Sequence, residues 1–248
     1  MPGEQPEILI GTSGWTYDHW KGVFYPQDLP KSHWLDYYMT KFQSVEINAT
    51  FYRRFKDQTY HNWREKAPDG FVYVLKAPRI ITHRKYLEDV EQDIKDFCHS
   101  ANLLEDKLGL ILLQVAPGTP FDLGRLRQAL LVFGDPHRVA VEFRRNEWYC
   151  DEVREMLIDL GVAFCNADSP RNKLTAWVTS QDAYIRLHGR KRWYADDYSR
   201  EELEEIAGMI EEMVKGRVRR VYVFFNNDFE GNAPRNALTL IEMVKSYN

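Results

Sequence analysis

Eight short apolar runs, most of them separated by helix-length segments, set the narrowest limit on what this chain can fold into. They read EILIG (7–11), SVEIN (44–48), FVYVLK (71–76), LGLILLQ (108–114), RVAVEFR (138–144), VAFCN (162–166), AYIRLH (183–188) and RVYVFFN (220–226). Runs this short and this rich in β-branched and aromatic residues predict strands. Strands joined by crossovers long enough for a helix pair in parallel, because a tight hairpin cannot return the chain in the same direction.

The intervening segments supply the helical period. Leu87, Val90, Ile94, Phe97, Ala101 and Leu104 step by three or four, as do Leu203, Ile206, Ile210 and Met213, which predicts amphipathic helices. Ser199 and Glu202 form an S-x-x-E capping box ahead of the second stripe, and Asp122 is placed to cap a helix carrying Leu123, Leu126 and Leu130. Ala237, Leu240, Ile241 and Val244 mark a terminal helix. Residues 169–182, SPRNKLTAWVTSQD, have no stripe and contain Pro170, so the sixth helix is expected to be weak or missing. The expectation is a single (β/α)8 TIM-type barrel over residues 7–248 after a tail of residues 1–6. A doubly wound open sheet is the alternative. It fits less well because it would gather polar strand ends at one switch point, whereas here they recur throughout the set.

Composition excludes several classes of function. The chain of 248 residues is 44% hydrophobic and carries Lys+Arg 33 against Asp+Glu 37, a net charge of -4, so nothing draws it broadly to nucleic acid or anionic lipid. Cys98, Cys150 and Cys165 are odd in number and show no CxxC spacing, which fits a reducing cytoplasm better than a disulfide framework. No apolar run approaches the about 18 residues of a membrane span, and MPGEQPEILIG has no signal-peptide pattern.

The chemistry lies in the alternation. In VEINATFY (45–52), Val45 and Ile47 face one way and Glu46 and Asn48 the other, because successive strand side chains alternate faces. Active sites of such barrels sit at the C-terminal strand ends. The candidates there are Ser13 and Trp15, Glu46 and Asn48, Lys76, Gln114, Glu142 and Arg144, Asp168, Arg186 and His188, then Asn226, Asn227 and Asp228. Grouped Lys76, Arg144 and Arg186 suit an anionic, phosphate-bearing ligand, since a guanidinium fork matches phosphate or carboxylate. Glu46, Glu142 and His188 are the candidates for proton transfer, and Asn48, Gln114 and Asn226 for hydrogen-bond recognition. A plainer reading has Glu46, Glu142, Lys76, Arg144 and Arg186 neutralise one another without a ligand. A metal set of Glu46, Glu142, Asp168, His188 and Asp228 can be drawn, but the neighbouring cations oppose it and no HxH or HxxxH pair occurs. Neither a metal nor a cofactor is therefore expected. GTSGW lacks the spacings of nucleotide loops, and no GxSxG elbow is present.

Seven blocks in order, IGTSGWTYDHWKGVFYP, VEINATFYR, FVYVLKAPRIITH, LLQVAP, VAVEFRRNEW, RLHGR with WY and YS, and FFNND with NAPRNA, resemble the YecE-like proteins, the domain of unknown function 72 family, over residues 8–245. The resemblance implies a TIM barrel and no established reaction. Its motif residues fall on the strand-end candidates and on Gly14, Thr50, Phe51, Tyr52, Thr82, His83, Trp148, Gly189, Arg190, Trp193 and Tyr194. Arg145 stands where many members have His, and VAPGT replaces a double-proline stretch. Arg190 is expected to add positive charge, and Trp15, Tyr52, Trp193 and Tyr194 a ring-facing wall. The leading expectation is an enzyme for a small anionic, phosphorylated metabolite that uses metal-independent acid/base chemistry. The alternatives are a nucleic-acid-binding or processing protein, with single strands on the basic and aromatic residues, and a non-catalytic ligand-binding barrel.

Overall fold

The computed structural model describes residues 6–245 apart from 173 and 217. Residues 1–5 of the expected tail lie outside the described residues. Each apolar run is a strand: β1 Glu7–Thr12, β2 Ser44–Ile47, β3 Val72–Lys76, β4 Leu108–Gln114, β5 Val139–Glu142, β6 Ala163–Asp168, β7 Asp182–Leu187 and β8 Arg220–Phe225. The sheet runs β1-β8-β7-β6-β5-β4-β3-β2, its described pairings are parallel, and a parallel bridge from Ser13 to Glu46 links the first strand to the last. The protein is an α/β protein of the TIM-barrel class. The helices are α1 Trp34–Met39, α2 Ala49–Tyr52, α3 Asp57–Lys66, α4 Glu91–Ala101, α5 Leu123–Val132, α6 Asp151–Leu160, α7 Arg200–Lys215 and α8 Asn232–Val244. No helix among the described residues is long and apolar enough to cross a membrane.

The chain divides into two compact units, one running to Glu46 and resuming at Asn166, the other spanning Ile47–Cys165. In the first, β1 and β7 flank β8, with Gly11 and Arg186 both opposite Phe224. Gly11 is required by close approach: a Cβ there would lie 2.1 Å from the Ser44 carbonyl oxygen. The Tyr38 hydroxyl locks this contact, donating to Ser44 O at 3.0 Å and accepting from Thr12 N at 2.9 Å. α7 begins with the expected capping box, Ser199 N donating to Glu202 Oε2 and Glu202 N to Ser199 Oγ.

Between β6 and β7 the described residues contain no helix, as the missing stripe predicts. One buried amide holds the connector instead. Asn166 Oδ1 accepts from Trp177 N at 2.8 Å and Thr175 Oγ1 at 2.9 Å, while its Nδ2 donates to Trp177 O at 2.8 Å.

In the second unit β4 joins β3 to β5, with Gln114 opposite Glu142. Asp122 caps α5 through Arg125 N at 2.9 Å. One helix departs from its expected extent. The stripe from Leu87 to Leu104 predicts a continuous helix, but α4 occupies only Glu91–Ala101. Tyr86, Leu87 and Asp89 on one side and Glu105 on the other have positive φ, which no helix tolerates. Leu87 is nonetheless buried outside the helix, and Leu104 is buried from the 3-10 turn Asn102–Lys107 that follows α4.

Gly11→Ala is expected to destabilise the protein by roughly 1–3 kcal/mol through overpacking against Ser44, and Ser199→Ala by about 1 kcal/mol through loss of the cap. Urea unfolding of both variants checks the order.

Candidate functional site

Alternation along β7 sends Tyr184 and Arg186 to the same face, and both reach Glu46 at the end of β2. Arg186 Nη2 donates to Glu46 Oε1 at 2.7 Å, Ser13 Oγ to the same oxygen at 2.8 Å, and the Tyr184 hydroxyl to Oε2 at 2.5 Å. Glu46 is 0% exposed and Arg186 1%. The three donors replace the hydration that burial removes from this carboxylate. It fixes the positions of Ser13 and Arg186.

His188, one step beyond β7, is fully buried. Its Nδ1 lies 3.0 Å from Asn226 Nδ2; with the amide donating, the ring proton resides on Nε2. The rings of Trp193 and Tyr194 flank it, with centroids at 5.5 and 5.8 Å, and Tyr194 is 43% exposed. Gly189, at φ +98, permits this turn: a Cβ there would meet the Arg192 carbonyl at 2.5 Å. Asp196 Oδ2 then accepts from the Arg190 and Lys191 amides at 2.8 and 2.9 Å.

Arg190 bridges Asp168 and Glu205, at 2.8 and 2.7 Å. Burial pushes the Asp168 carboxyl up, against the hydrogen bond and charge of Arg190. Burial lowers the Arg190 value, and the bonds from Asp168 and Glu205 outweigh it and raise it. Asp228 is also raised by burial, with its own backbone amide and His19 opposing; His19 Nε2 stands 3.7 Å from its carboxylate. Its carbonyl accepts from Trp20 Nε1 at 2.9 Å. Trp15 is half-buried, and its carbonyl accepts from the Tyr25 hydroxyl at 2.6 Å.

The second unit assembles its own cluster. Lys76 Nζ donates to Gln114 Oε1 at 2.9 Å, Gln114 Nε2 donates to Glu142 Oε2 at 2.9 Å, and Arg144 Nε lies 2.8 Å from Glu142 Oε1. The amide thus relays between an ammonium and a fully buried carboxylate, fixing both. Thr50 Oγ1 ties α2 to this strand end by donating to Lys76 O at 2.7 Å. Asn48, expected as a reader, is half-buried, and its Oδ1 is sealed from solvent with no hydrogen-bond partner. Tyr52 is 65% exposed and stands on a separate cleft. Beside Lys76 sits His83, its Nδ1 2.8 Å from Thr82 Oγ1 and its ring edge-on to Phe51. Burial lowers the His83 pKa, and the charges of Lys76 and Arg144 lower it further. These effects outweigh the opposing charge of Glu142 and favour the neutral imidazole.

Tyr184 and Glu205 were not legible as site residues. Tyr184 had a usable signal, because it lies two residues before Arg186 on the same strand face. His83 was legible only through the family motif. Among the described residues no three His, Cys, Asp or Glu side chains stand where they could hold a metal ion.

A family model described as protein of unknown function DUF72 matches residues 9–248. The chain is 25% identical over 273 residues to the UPF0759 protein YunF of Bacillus subtilis (strain 168), covering 96% of this chain and 94% of that protein. It is 26% identical over 157 residues to the UPF0759 protein YecE of Escherichia coli (strain K12), covering 62% and 55% respectively. The crystal structure of a DUF72 family protein from Thermotoga maritima MSB8 superposes with a TM-score of 0.86 at 31% identity, over 96% of this chain and 99% of that one.

Arg186→Ala is expected to cost roughly 3–5 kcal/mol, because it strands the buried Glu46 charge, which chemical denaturation at pH 7 measures. His83 makes a pH prediction. Its folded pKa lies below its ordinary 6.5, so as pH falls below that value the unfolded chain takes up the proton first. Its contribution to stability is complete above about pH 6.5 and is lost as pH falls towards the folded value. Unfolding curves across pH 7 to 5 should show a shallower decline in His83→Gln than in wild type.

Proposed function

The chain belongs to the DUF72 family of proteins of unknown function, and for this member we propose a cytoplasmic enzyme that acts on a small anionic, phosphorylated metabolite by acid/base chemistry needing no metal. The observation that supports this best is the relay from Lys76 through Gln114 to Glu142 and Arg144. A cluster serving only to neutralise charge has no need of an amide holding the ammonium off the carboxylate. A site that must present a cation to a ligand and a carboxylate to a proton does need such orientation.

In this reading Lys76 and Arg144 hold the anionic group and Glu142 moves the proton. The neutral His83 imidazole, beside the same cations, is a second acceptor. Glu46 already accepts from Ser13, Tyr184 and Arg186, so in this reading its role is to position Arg186 and Ser13. His188, in the first unit, belongs to a separate cluster with Asn226, Trp193 and Tyr194. The location at C-terminal strand ends is where barrels of this class place their chemistry.

Thermal unfolding with inorganic phosphate, sugar phosphates, nucleotides, short oligonucleotides and divalent metals tests the reading. A ligand at 100 times its Kd adds about 2.7 kcal/mol, which for a chain of this size raises Tm by roughly 5–10 °C. Phosphorylated metabolites should stabilise wild type and not Lys76→Met or Arg144→Gln. Stabilisation by oligonucleotides alone, steeply weakened by salt, would replace the enzyme with a single-strand binder.

A further inference from the structure

The second unit contains a cleft of about 230 Å³ that the Lys76 relay does not use, walled by α2 and its exit, the loop after β3, and one face of α4. Four arginines line it, Arg53, Arg54, Arg79 and Arg84, against two carboxylates, Asp93 and Asp96. Both carboxylates are already engaged. Lys85 Nζ reaches Asp93 at 2.7 Å, and Asp96 takes Arg54 at 3.4 Å and Gln92 Nε2 at 2.7 Å. Among the described residues no carboxylate lies within 4.0 Å of Arg53, Arg79 or Arg84; Arg53 only stacks on Phe55, at 4.4 Å. Three guanidiniums around one concavity repel each other, and a compact dianion removes that repulsion while accepting their forked donors.

The rest of the cleft is apolar and flat-faced. Phe51 and Phe97 are buried along it, and Tyr52 stands at it with most of its ring in solvent. Tyr52 meets Phe51 edge-on with ring centroids 5.0 Å apart, and an aromatic face beside guanidiniums is suited to a planar group carrying negative charge. The wall bearing Arg79 and Arg84 is built from uncommon backbone. Ile80–Arg84 form a π-helical turn, and Tyr86, Leu87 and Asp89 follow in left-handed conformation at φ 50, 66 and 47. Neither is a default state of such residues, and both concentrate at binding sites. The volume lies below the roughly 300–1,000 Å³ of drug-sized pockets, which limits the occupant to about one ring and its charged group.

We propose that this cleft is a binding site for a small monophosphate ester of a single flat ring, the phosphate on Arg79, Arg84 and Arg53 and the ring against Tyr52 and Phe51. The site is independent of the proposed chemistry at Lys76, although Phe51 is shared: Lys76 Nζ sits 4.2 Å over its ring. Occupancy here therefore touches the residue that packs on the relay.

Titration calorimetry of the full chain with phenyl phosphate, inorganic phosphate and benzyl alcohol tests the proposal. Wild type should bind phenyl phosphate, bind inorganic phosphate more weakly and leave benzyl alcohol unbound. Arg79→Ala with Arg84→Ala should weaken phenyl phosphate at least about tenfold, the loss expected for charge-assisted contacts. Tyr52→Ala should bring phenyl phosphate down towards inorganic phosphate, and the loss caused by the two arginine substitutions should be the same in an Arg144→Gln background, where the Lys76 relay no longer contributes. All four positions but Arg144 are exposed, and matching thermal melts confirm that the variants fold. Unchanged binding in the double arginine variant, or no heat from wild type at millimolar phenyl phosphate, overturns the proposal. Loss in Arg144→Gln alone assigns the phosphate to the Lys76 relay instead.

Discussion

A carboxylate cut off from water remains ionised only where donors replace its hydration, and this requirement organises the strand ends of the protein. Glu46, on β2, meets it with a hydroxyl from the end of β1 (Ser13) and a phenol and a guanidinium from β7 (Tyr184 and Arg186). Because removal of any one donor leaves a partly solvated ion in a dry place, the strands bearing them are held in register by more than their ladders. Glu142 meets the same requirement with an amide and a guanidinium. The two solutions differ in kind. Around Glu46 both oxygens accept from donors of the first unit, which suits a fixed support. Around Glu142 the partners are arranged in a line, with a distant ammonium coupled through Gln114, which suits a group whose charge is used.

Much of this was legible in the sequence because it depends on a period of two. VEIN, VAVEFR and YIRLH each announce a strand whose one face is apolar and whose other face is ionic, and Glu46, Glu142, Arg144 and Arg186 all lie where that parity places them. The caps at Asp122 and Ser199 were equally local, and the structure forms both. What could not be read was anything set by partners far along the chain. Tyr184 looks like an ordinary strand aromatic until Glu46, 138 residues away, is brought to it. The extent of α4 differs for a related reason: Leu87 keeps helical spacing but is buried from a turn in left-handed conformation, and Leu104 from a 3-10 turn rather than α-helix. Periodicity reports burial first and conformation second.

The charge balance also shows why composition was a poor guide to binding. A chain with a net charge of -4 still gathers Arg53, Arg79 and Arg84 around one concavity without carboxylate partners among the described residues. Net charge governs long-range association; local pairing governs what a pocket holds. These arginines come from two loops that follow β2 and β3, so no stretch of sequence reads as a basic run.

The connector between β6 and β7 has an implication of a different sort. Helices elsewhere are held by stripes of many apolar residues, each replaceable at modest cost, so their placement is encoded redundantly. The segment after Asp168 is instead addressed through one amide, Asn166, which grips the Trp177 backbone from both sides and takes the Thr175 hydroxyl as well. Such an arrangement separates the freedom of a loop from the freedom of its anchor. The exposed side chains of Pro170 and Arg171 can vary in length, charge and chemistry with little effect on where the connector lies, while position 166 admits almost no alternative, since aspartate would turn a donor into a repelling acceptor. A fold that dispenses with one helix in this way gains a patch of surface open to evolutionary change, at the expense of a single point on which its geometry depends.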